Sequence, residues 1–413
     1  DEDPGVELEA PDGLDCLCGH VRPGQHLRRD HQPRRPARAH GGAGAELGVE
    51  VPRDVRADLA IGDDRVLRLA AAQSADIAAR LAASDIEVIS GTAALADAST
   101  VRITPHDGAA EEREVDAVLV ASGAHPRVSP DAQPDGERIL TWEQVYALRD
   151  LPEHMIVVGS GVTGAEFASA YNGLGAHVTL VSSRDRVLPG EDPDAANLIE
   201  DVFTERGMTV LGSSRMASVR RDGDRVHVTL TDGRTVEGSH CLLALGSIPN
   251  TADLGLEEAG VVLDDGGFVR VDRVSRTTAR GVYAAGDCTG VLMLASVAAQ
   301  QGRIAMAHLL GDAVHPLALD KMASNIFTSP EIATAGLSQK QIEERGLGVD
   351  VAMLPLAANA RAKMQGLHHG FVKLYVRRGI GIVVGGVVVG PRASELIHPV
   401  SLAVSASLTV DQV

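Results

Sequence analysis

The clearest pattern of apolar and polar positions in the chain lies between residues 155 and 181. Residues 155–158 are an unbroken apolar run, Met-Ile-Val-Val, and such a run is typical of a parallel strand that is buried on both faces. A glycine-rich turn follows, residues 163–174 can continue as a helix, and residues 176–181 have the pattern of a second strand. The order strand, turn, helix, strand predicts an α/β unit.

The same reading predicts elements elsewhere in the chain. Residues 63–83 favour a long helix, residues 86–89 a strand and residues 294–303 another helix. Thr141 begins a segment that is typical of a helix cap and its first turn. Toward the C-terminus, a strand is expected over residues 371–376. A further strand is expected over residues 382–389.

The turn after residue 158 carries the pattern Gly-x-Gly-x-x-Gly. Its residues are Gly159, Ser160, Gly161, Val162, Thr163 and Gly164. The first glycine permits a tight turn, the second lets the backbone approach a pyrophosphate, and the third lets helix and strand pack closely. A bound anion would lie on the helix N-terminus. Because a second strand follows at the spacing of a βαβ unit, we predict a nucleotide site here; the alternative is a tight turn without a ligand.

Three more apolar segments end in glycine, and they surround this fingerprint in a fixed order. They cover residues 116–126, 240–250 and 281–287. An ordered set of this kind is hard to explain by chance. The ends of these segments carry Ser122, Gly123, Gly246, Gly286 and Asp287, and the family resemblance stated below implies that these residues bind a cofactor.

With these motifs the chain resembles the pyridine nucleotide-disulfide oxidoreductases, flavoproteins with two dinucleotide-binding domains such as lipoamide dehydrogenase, glutathione reductase and mercuric reductase. Segments 70–77, 133–142 and 359–364 are most similar to actinobacterial lipoamide-dehydrogenase-like NAD(P)H:quinone reductases. The resemblance begins at about residue 47. It implies an α/β fold with two Rossmann-like domains, for FAD and NAD(P), and an α+β dimerisation domain, the whole being incomplete at both ends.

The resemblance also implies how the chain is divided. We expect the FAD-binding domain in residues 51–140 and 273–312, interrupted by an inserted NAD(P)-binding domain in residues 141–272. A dimerisation domain, shortened at its end, is expected in residues 313–413.

Residues 1–50 have a different character from the remainder. Arginine, histidine and proline are mixed there with few periodic apolar positions, and such a segment cannot bury a core face. We interpret it as a frame-shifted segment; a basic nucleic-acid-binding arm and a metal cluster at Cys16, Cys18 and His20 are the alternatives. The N-terminal glycine fingerprint that would hold the FAD pyrophosphate is then missing, so we expect weak FAD binding and retained NAD(P)H affinity.

The resemblance gives further residues a role in FAD binding. Asp287 has the position of an aspartate that accepts hydrogen bonds from the ribityl chain, and a helix N-cap is the alternative. Gly91 and Thr92 match a segment that lies along the adenosine. The backbone amides at a helix N-terminus face the pyrimidine end of the flavin, where the reduced ring carries negative charge. The matching residues are Met293, Leu294, Ala295 and Ser296.

Glu166, directly after the fingerprint, is the one catalytic residue that we assign. It matches a family glutamate that lies near the nicotinamide and pairs with the lysine of a Cys-Val-Pro-x-Lys segment. This chain lacks that segment, so we expect an uncompensated carboxylate; the alternative is an ordinary helix glutamate. Glu395 and His398 resemble the acid-base pair of disulfide reductases in type but not in order, and we expect His398 at the surface or in an interface.

The end of the second strand predicts which nicotinamide cofactor is used. NAD-selective sites place an Asp or Glu about twenty residues past the glycines, where it binds the ribose 2′-hydroxyl and repels a 2′-phosphate. This chain has Ser182, Ser183 and Arg184 there. A hydroxyl can bond either group, and arginine can pair with phosphate through two donors. We therefore predict use of both NADH and NADPH; the alternative is that Arg184 is a solvated loop charge.

Composition restricts the class of function. A formal net charge of −18 argues against general nucleic-acid binding, which requires a basic surface. The longest apolar stretch, residues 381–390, is far shorter than the ~20 residues that span a bilayer, and no secretory signal is visible. We predict a cytoplasmic protein without membrane insertion. Cys16, Cys18, Cys241 and Cys288 match neither a disulfide framework nor a zinc spacing, and we assign no metal.

The sequence supports hydride uptake from NAD(P)H by a flavin, but it presents neither the dithiol nor the proton relay of a disulfide reductase. A quinone can take electrons directly from reduced flavin. We therefore interpret the protein as a homodimeric FAD-dependent NAD(P)H:quinone reductase. The alternatives are a disulfide reductase of the dihydrolipoamide dehydrogenase type and a nonfunctional nucleotide-binding fragment of a damaged gene.

Overall fold

A computed structural model describes residues 59–413 of the chain. The interpretation of residues 1–50, including that of Cys16 and Cys18, lies outside the described residues. None of the helices within residues 59–413 combines the length and the apolar character that a membrane-crossing helix needs.

The first described part of the chain is a long helix followed by five short strands. These are α1 (Leu59–Ala83), β1 (Gly91–Leu95), β2 (Thr100–Pro105), β3 (Glu111–Glu114), β4 (Val118–Val120) and β5 (Ala124–Pro126). Strands β1, β2 and β3 form an antiparallel sheet in that order. The predicted helix is confirmed and begins four residues earlier than expected. The strand predicted over residues 86–89 is wrong: Ile86 and Val88 are more than half exposed, and the strand begins only at Gly91.

The central part of the chain contains two sheets. Its elements are β6 (Ile139–Thr141), β7 (His154–Val158), α2 (Val162–Gly173), β8 (His177–Val181), α3 (Pro193–Glu205), β9 (Thr209–Leu211), β10 (Met216–Asp222), β11 (Arg225–Leu230), β12 (Thr235–Gly238) and β13 (His240–Leu243). Five strands form a parallel sheet in the order β6-β13-β7-β8-β9. Strands β10, β11 and β12 form an antiparallel sheet. The predicted order of strand, turn, helix and strand is confirmed.

The apolar run in β7 is unbroken because the parallel sheet is covered on both faces. Met155 and Val157 belong to one apolar cluster with residues of α2 and α3. Ile156 and Val158 alternate with them and belong to a second cluster, which includes Val226 of β11. Neighbouring residues of a strand point to opposite faces, so helices on one side and the antiparallel sheet on the other require apolar residues at every position.

After the central part, the chain returns to the strands of its first part. The returning elements are β14 (Ser247–Pro249), β15 (Val282–Ala284) and α4 (Ala295–Leu309). Strand β14 pairs antiparallel with β5, and β15 pairs parallel with β4. The strands that precede Ser122-Gly123 and Gly286-Asp287 are therefore neighbours in one sheet.

The last part of the chain is an antiparallel sheet with short helices. Its elements are β16 (Ala323–Ile326), β17 (Glu331–Gly336), α5 (Gln339–Glu344), β18 (Val349–Pro355), α6 (Ala360–Met364), β19 (Phe371–Arg377), β20 (Val383–Gly390), α7 (Ala393–Leu396) and α8 (His398–Ala406). The strand order is β16-β17-β20-β19-β18. The strands predicted over residues 371–376 and 382–389 are confirmed as β19 and β20. His398 is exposed at the start of α8, as expected.

Candidate cofactor site

The three glycines of the fingerprint meet different surroundings. Gly159 has φ of +113°, and a Cβ atom added to it would lie 2.1 Å from the carbonyl oxygen of Ala244. A Cβ on Gly164 would lie 1.8 Å from the carbonyl oxygen of Gly159. A Cβ on Gly161 would meet no atom within 4 Å. Two of the glycines therefore let the turn, helix and neighbouring strand pack, while the third leaves open space for a ligand.

The open space at Gly161 adjoins the N-terminus of α2. Gly161 is the N-cap residue, and its carbonyl accepts the helical hydrogen bond from the Ala165 amide. The amides of Val162, Thr163 and Gly164 precede that bond, so the helix itself does not satisfy them. Such amides, together with the helix dipole, favour an anion. This cradle fits the pyrophosphate of a dinucleotide.

The end of β8 is held by the side chain of Ser182, which has no exposed surface. Its Oγ lies 2.7 Å from the Oγ of Ser160 in the fingerprint. It accepts a hydrogen bond from the Arg184 amide at 3.1 Å, and it lies within donating distance of the carbonyl oxygens of Arg184 and Arg186, at 3.0 and 3.2 Å. The hydroxyl of Ser182 therefore connects the fingerprint to the following loop.

Ser183 and Arg184 are exposed in that loop, beside the fingerprint. The nearby carboxylate of Asp185 accepts a hydrogen bond from Arg186 at 3.4 Å. Within residues 59–413 the guanidinium of Arg184 has neither an ion pair nor a hydrogen bond. It is therefore available to a phosphate.

Glu166 lies on α2 and contacts the last part of the chain. Its Oε1 accepts a hydrogen bond from the Phe327 amide at 2.8 Å. Burial raises the pKa of this carboxyl, and the bond from Phe327 opposes that rise. We expected an uncompensated carboxylate at Glu166. The carboxylate does have a partner, but that partner is a backbone amide rather than a lysine.

A second group of candidate residues follows the neighbouring strands β4 and β15. Ser122 and Gly123 follow β4, and Gly286 and Asp287 follow its neighbour β15. Asp287 is half-buried, and no described residue donates a hydrogen bond to its carboxylate. The N-cap alternative for Asp287 is wrong, because α4 begins only at Ala295 and Gly286 precedes the 3-10 turn that Asp287 opens. A free acceptor at this place fits the hydroxyls of a ribityl chain.

The predicted flavin segment forms the start of α4. Leu294 is the N-cap residue, and Ala295 and Ser296 are the first helical residues, both exposed. Met293 is 42% exposed. The Ala298 amide makes the first helical bond, to the Leu294 carbonyl, so earlier amides of the helix remain available to a negatively charged ring.

Three predicted residues, Gly91, Thr92 and Gly246, belong to neither of these two groups. Gly91 and Thr92 lie in β1, within the separate antiparallel sheet. A Cβ on Gly91 would lie 2.3 Å from the carbonyl oxygen of Thr104, so strand packing accounts for this glycine. Gly246, with φ of +90°, follows β13, and its carbonyl accepts a hydrogen bond from the Arg127 amide.

Comparisons with known proteins agree with this geometry. A family model described as pyridine nucleotide-disulphide oxidoreductase matches residues 16–302. A second, described as the dimerisation domain of pyridine nucleotide-disulphide oxidoreductases, matches residues 322–413. The chain belongs to the pyridine nucleotide-disulphide oxidoreductase family. Its fold is the mixed α/β fold of that family, and its last part is a dimerisation domain.

Individual members of the family give closer comparisons. The chain is 56% identical over 354 residues to an NAD(P)H dehydrogenase (quinone) of Mycobacterium tuberculosis, covering 84% of this chain and 72% of the relative. It is 32% identical over 371 residues to a dihydrolipoyl dehydrogenase of Chlorobaculum parvum, covering 89% and 79%. The crystal structure of LpdA from M. tuberculosis superposes with a TM-score of 0.82 at 55% identity, covering 86% and 79%.

A more distant solved structure shares the fold. The HOCl-induced flavoprotein disulfide reductase RclA of Escherichia coli superposes with a TM-score of 0.78 at 25% identity, covering 86% of this chain and 81% of that one. The family fold is thus retained at low sequence identity.

Two features of this family member were not found from the sequence. On α2, the hydroxyl of Ser169 accepts a hydrogen bond from the Ser329 amide at 2.9 Å, beside the contact of Glu166. Lys373 of β19 is buried, and its Nζ lies 3.0 Å from Asp192 and 2.7 Å from Asp194 at the start of α3. Lys373 lies on the same buried face of β19 as Phe371 and Tyr375, and that position could have signalled a buried lysine that needs a carboxylate.

Proposed function

We propose that the protein is an FAD-dependent NAD(P)H:quinone reductase. The observation that carries the proposal is the 56% identity, over 84% of the chain, to a protein named NAD(P)H dehydrogenase (quinone). The intact glycine cradle supports it, because Gly161 leaves room for a dinucleotide while Gly159 and Gly164 have no room for a side chain.

The residues of the chain divide the work of binding. The fingerprint and the N-terminus of α2 hold the pyrophosphate of NAD(P)H, and Glu166 beside them fixes α2 against Phe327 near the nicotinamide end. Asp287 and the start of α4 hold the ribityl chain and the ring of FAD. When bound, FAD would supply the capacity to take a hydride from NAD(P)H and to deliver two electrons, which with two protons would reduce a quinone to a hydroquinone.

The described thiols support an acceptor that needs no dithiol. Cys241 and Cys288 are both buried, and burial raises the pKa of each thiol. A buried thiol with a raised pKa is a poor nucleophile. Electrons that leave the flavin for a planar quinone need neither of them.

We include in this proposal the use of both NADH and NADPH. Ser183 and Arg184 are exposed at the position where NAD-selective sites carry an acid, and Arg184 is unpaired within the described part of the chain. The buried Ser182 acts here by holding the loop. Arginine can bind a 2′-phosphate through two donors.

The arrangement of the whole protein is also part of the proposal. The pairing of β15 with β4 supports an FAD-binding domain that takes residues from 51–140 and from 273–312 around an NAD(P)-binding insertion. Strand β14 already pairs with β5, so we propose that the insertion expected in residues 141–272 ends before residue 247. The dimerisation domain, residues 313–413, supports a homodimer. We propose a cytoplasmic protein whose partner is a small-molecule quinone.

A second candidate is a disulfide reductase of the dihydrolipoyl dehydrogenase type, favoured by the 32% identity to such an enzyme. A direct test compares acceptors. Protein supplied with FAD is assayed for oxidation of NADH and of NADPH, with menadione or with lipoamide. We expect turnover with menadione at least about tenfold faster than with lipoamide, a difference of ~1.4 kcal/mol in activation free energy. The reverse order would replace the proposal with the second candidate.

A further inference from the structure

Every hydrogen bond of the Ser182 hydroxyl stays inside the protein. The side chain is fully buried, and its Oγ faces the Ser160 hydroxyl, the Arg184 amide and the carbonyl oxygens of Arg184 and Arg186. The backbone of Ser182 is fixed as well, since its amide donates to Leu211 and its carbonyl accepts from Ser214. This residue is therefore a fixed anchor at the end of β8.

The hydrogen-bonding roles of the Ser182 and Ser160 hydroxyls depend on each other. A serine hydroxyl has one proton to donate and can accept two hydrogen bonds. The Ser182 hydroxyl accepts from the Arg184 amide, and the carbonyl oxygens of Arg184 and Arg186 can only accept. When Ser182 gives its proton to one of these carbonyls, Ser160 must donate across the 2.7 Å contact. The network thus fixes the loop after β8 relative to the fingerprint.

Arg184 is the residue whose position depends on this network. Its amide bonds to the Ser182 hydroxyl, and its carbonyl also accepts from the Ser213 amide at 2.7 Å. The backbone of Arg184 is thereby held at both ends, while its side chain remains exposed. Because the backbone of Arg184 is fixed, its guanidinium loses less conformational freedom on binding an anion.

We infer that Ser182 is a specificity-determining positioning residue, which sets affinity for a 2′-phosphorylated adenosine by holding Arg184 beside the fingerprint. The inference rests on the proposed use of NAD(P)H and deepens it. Ser182 itself does not touch the ligand. A carboxylate in its place could donate no proton and would face the carbonyl oxygens of Arg184 and Arg186 in a buried space, which is unfavourable.

The test removes the hydroxyl and measures two probes that differ in one phosphate. Ser182→Ala is compared with wild type for binding of adenosine 2′,5′-bisphosphate and of adenosine 5′-monophosphate by calorimetry. We expect about tenfold weaker binding of the bisphosphate and less than about a twofold change for the monophosphate. Hydrogen exchange at the Arg184 amide should become faster, because that amide loses its acceptor.

Thr179→Val is the matched control, because Thr179 lies on β8, directly before the Ser182 loop, is also buried and also bonds through its hydroxyl, to the His154 ring at 2.8 Å. This variant should leave the ratio of the two affinities unchanged. Ser182→Cys keeps the shape with a weaker donor and replaces Ser182→Ala if the latter does not fold; it should lower the affinity for the bisphosphate in the same direction.

Loss of both probes to the same extent, or no change in the ratio, would overturn the inference. Failure of the proposed function is read separately, from the absence of menadione-dependent oxidation of NADH and NADPH by wild type. Since the nucleotide probes need no turnover, the role of Ser182 is decided whichever acceptor the enzyme uses.

Discussion

At Gly161 the absence of a side chain leaves open space beside a helix N-terminus, whereas at Gly164 it lets the backbone pack. The difference is visible in what a Cβ atom would meet: open space at Gly161, and the Gly159 carbonyl oxygen at 1.8 Å for Gly164. Gly161 has φ of −70°, which any residue can adopt. The two positions should therefore respond differently to the same substitution.

We predict that Gly161→Ala lowers affinity for NADH and NADPH by about tenfold or more, because the methyl group occupies the approach of the pyrophosphate, and leaves the melting temperature unchanged. Gly173→Ala is the control, since Gly173 lies on the same helix and its Cβ would also meet no atom within 4 Å. That variant should bind both cofactors normally. Equal binding by both variants would show that the pyrophosphate does not pass Gly161.

Arg184 gives a second prediction for a single residue. Arg184→Glu should raise KM for NADPH much more than KM for NADH, by about tenfold or more, because a charge-assisted pair with phosphate becomes a repulsion. The control is Arg220→Glu, which makes the same charge change at an exposed arginine of β10. Steady-state assays with both cofactors measure the effect. Equal changes for the two cofactors would mean that Arg184 does not read the 2′-phosphate.

Among the elements, three parallel strands of the central sheet begin with histidine. The pKa of two of these histidines, His154 and His240, is lowered. Burial lowers the pKa of His240 from 6.5 to about 4. The pKa of His154 is lowered by burial and by His177, whose ring centroid lies 4.2 Å away. In the unfolded chain both would titrate near their ordinary values, so protonation favours unfolding.

We predict that the folded state loses stability as the pH falls from 6.5 toward about 4, because in that interval the unfolded chain binds a proton at His240 and the folded protein does not. His240→Gln should lose less stability over this interval than wild type, with melting temperatures that differ by about 2–4 °C per kcal/mol. His315→Gln, which removes an exposed histidine, should behave as wild type. Parallel pH profiles for all three proteins would contradict the prediction.

At the scale of the whole molecule, a buried ion pair joins the central part to the dimerisation domain. The side chains of Lys373 and Asp192 are 4% and 3% exposed, and the Tyr375 hydroxyl also donates to Asp192. Asp192 additionally caps α3 by accepting from the amides of Asp194 and Ala195. Removal of Lys373 would leave the buried carboxylate of Asp192 without its opposite charge.

We predict that Lys373→Met destabilises the protein by ~3–5 kcal/mol, the usual result of breaking one side of a buried pair. Lys340→Met is the control: the side chain of Lys340 is 84% exposed in a surface pair with Glu344, and its loss should change stability by less than ~1 kcal/mol. Denaturant unfolding measures both. A loss below ~1 kcal/mol for Lys373→Met would show that the pair does not hold the two parts together.

Sequence reasoning reached the elements that local pattern determines. The apolar run in β7 and the fingerprint predicted the strand, turn and helix because burial on both faces and close backbone packing restrict the residue types at each position. The strand predicted at residues 86–89 failed, since the apolar side chains of Ile86 and Val88 are not buried against any of the described residues 59–413. The contacts of Lys373 and Ser169 were not predicted, because their partners are 181 and 160 residues away in sequence.

The pairing of β5 with β14 has a consequence for how such proteins can be recombined. Pro126 lies opposite Ser247, and the next residues continue the contact through the bond from the Arg127 amide to Gly246. The 127–246 stretch therefore leaves and rejoins the remainder at points only about 5 Å apart. It is a cassette whose two junctions are fixed by one strand pair. On the proposed function, exchange of this cassette between relatives would transfer the preference for NADH or NADPH while the junction geometry stays the same.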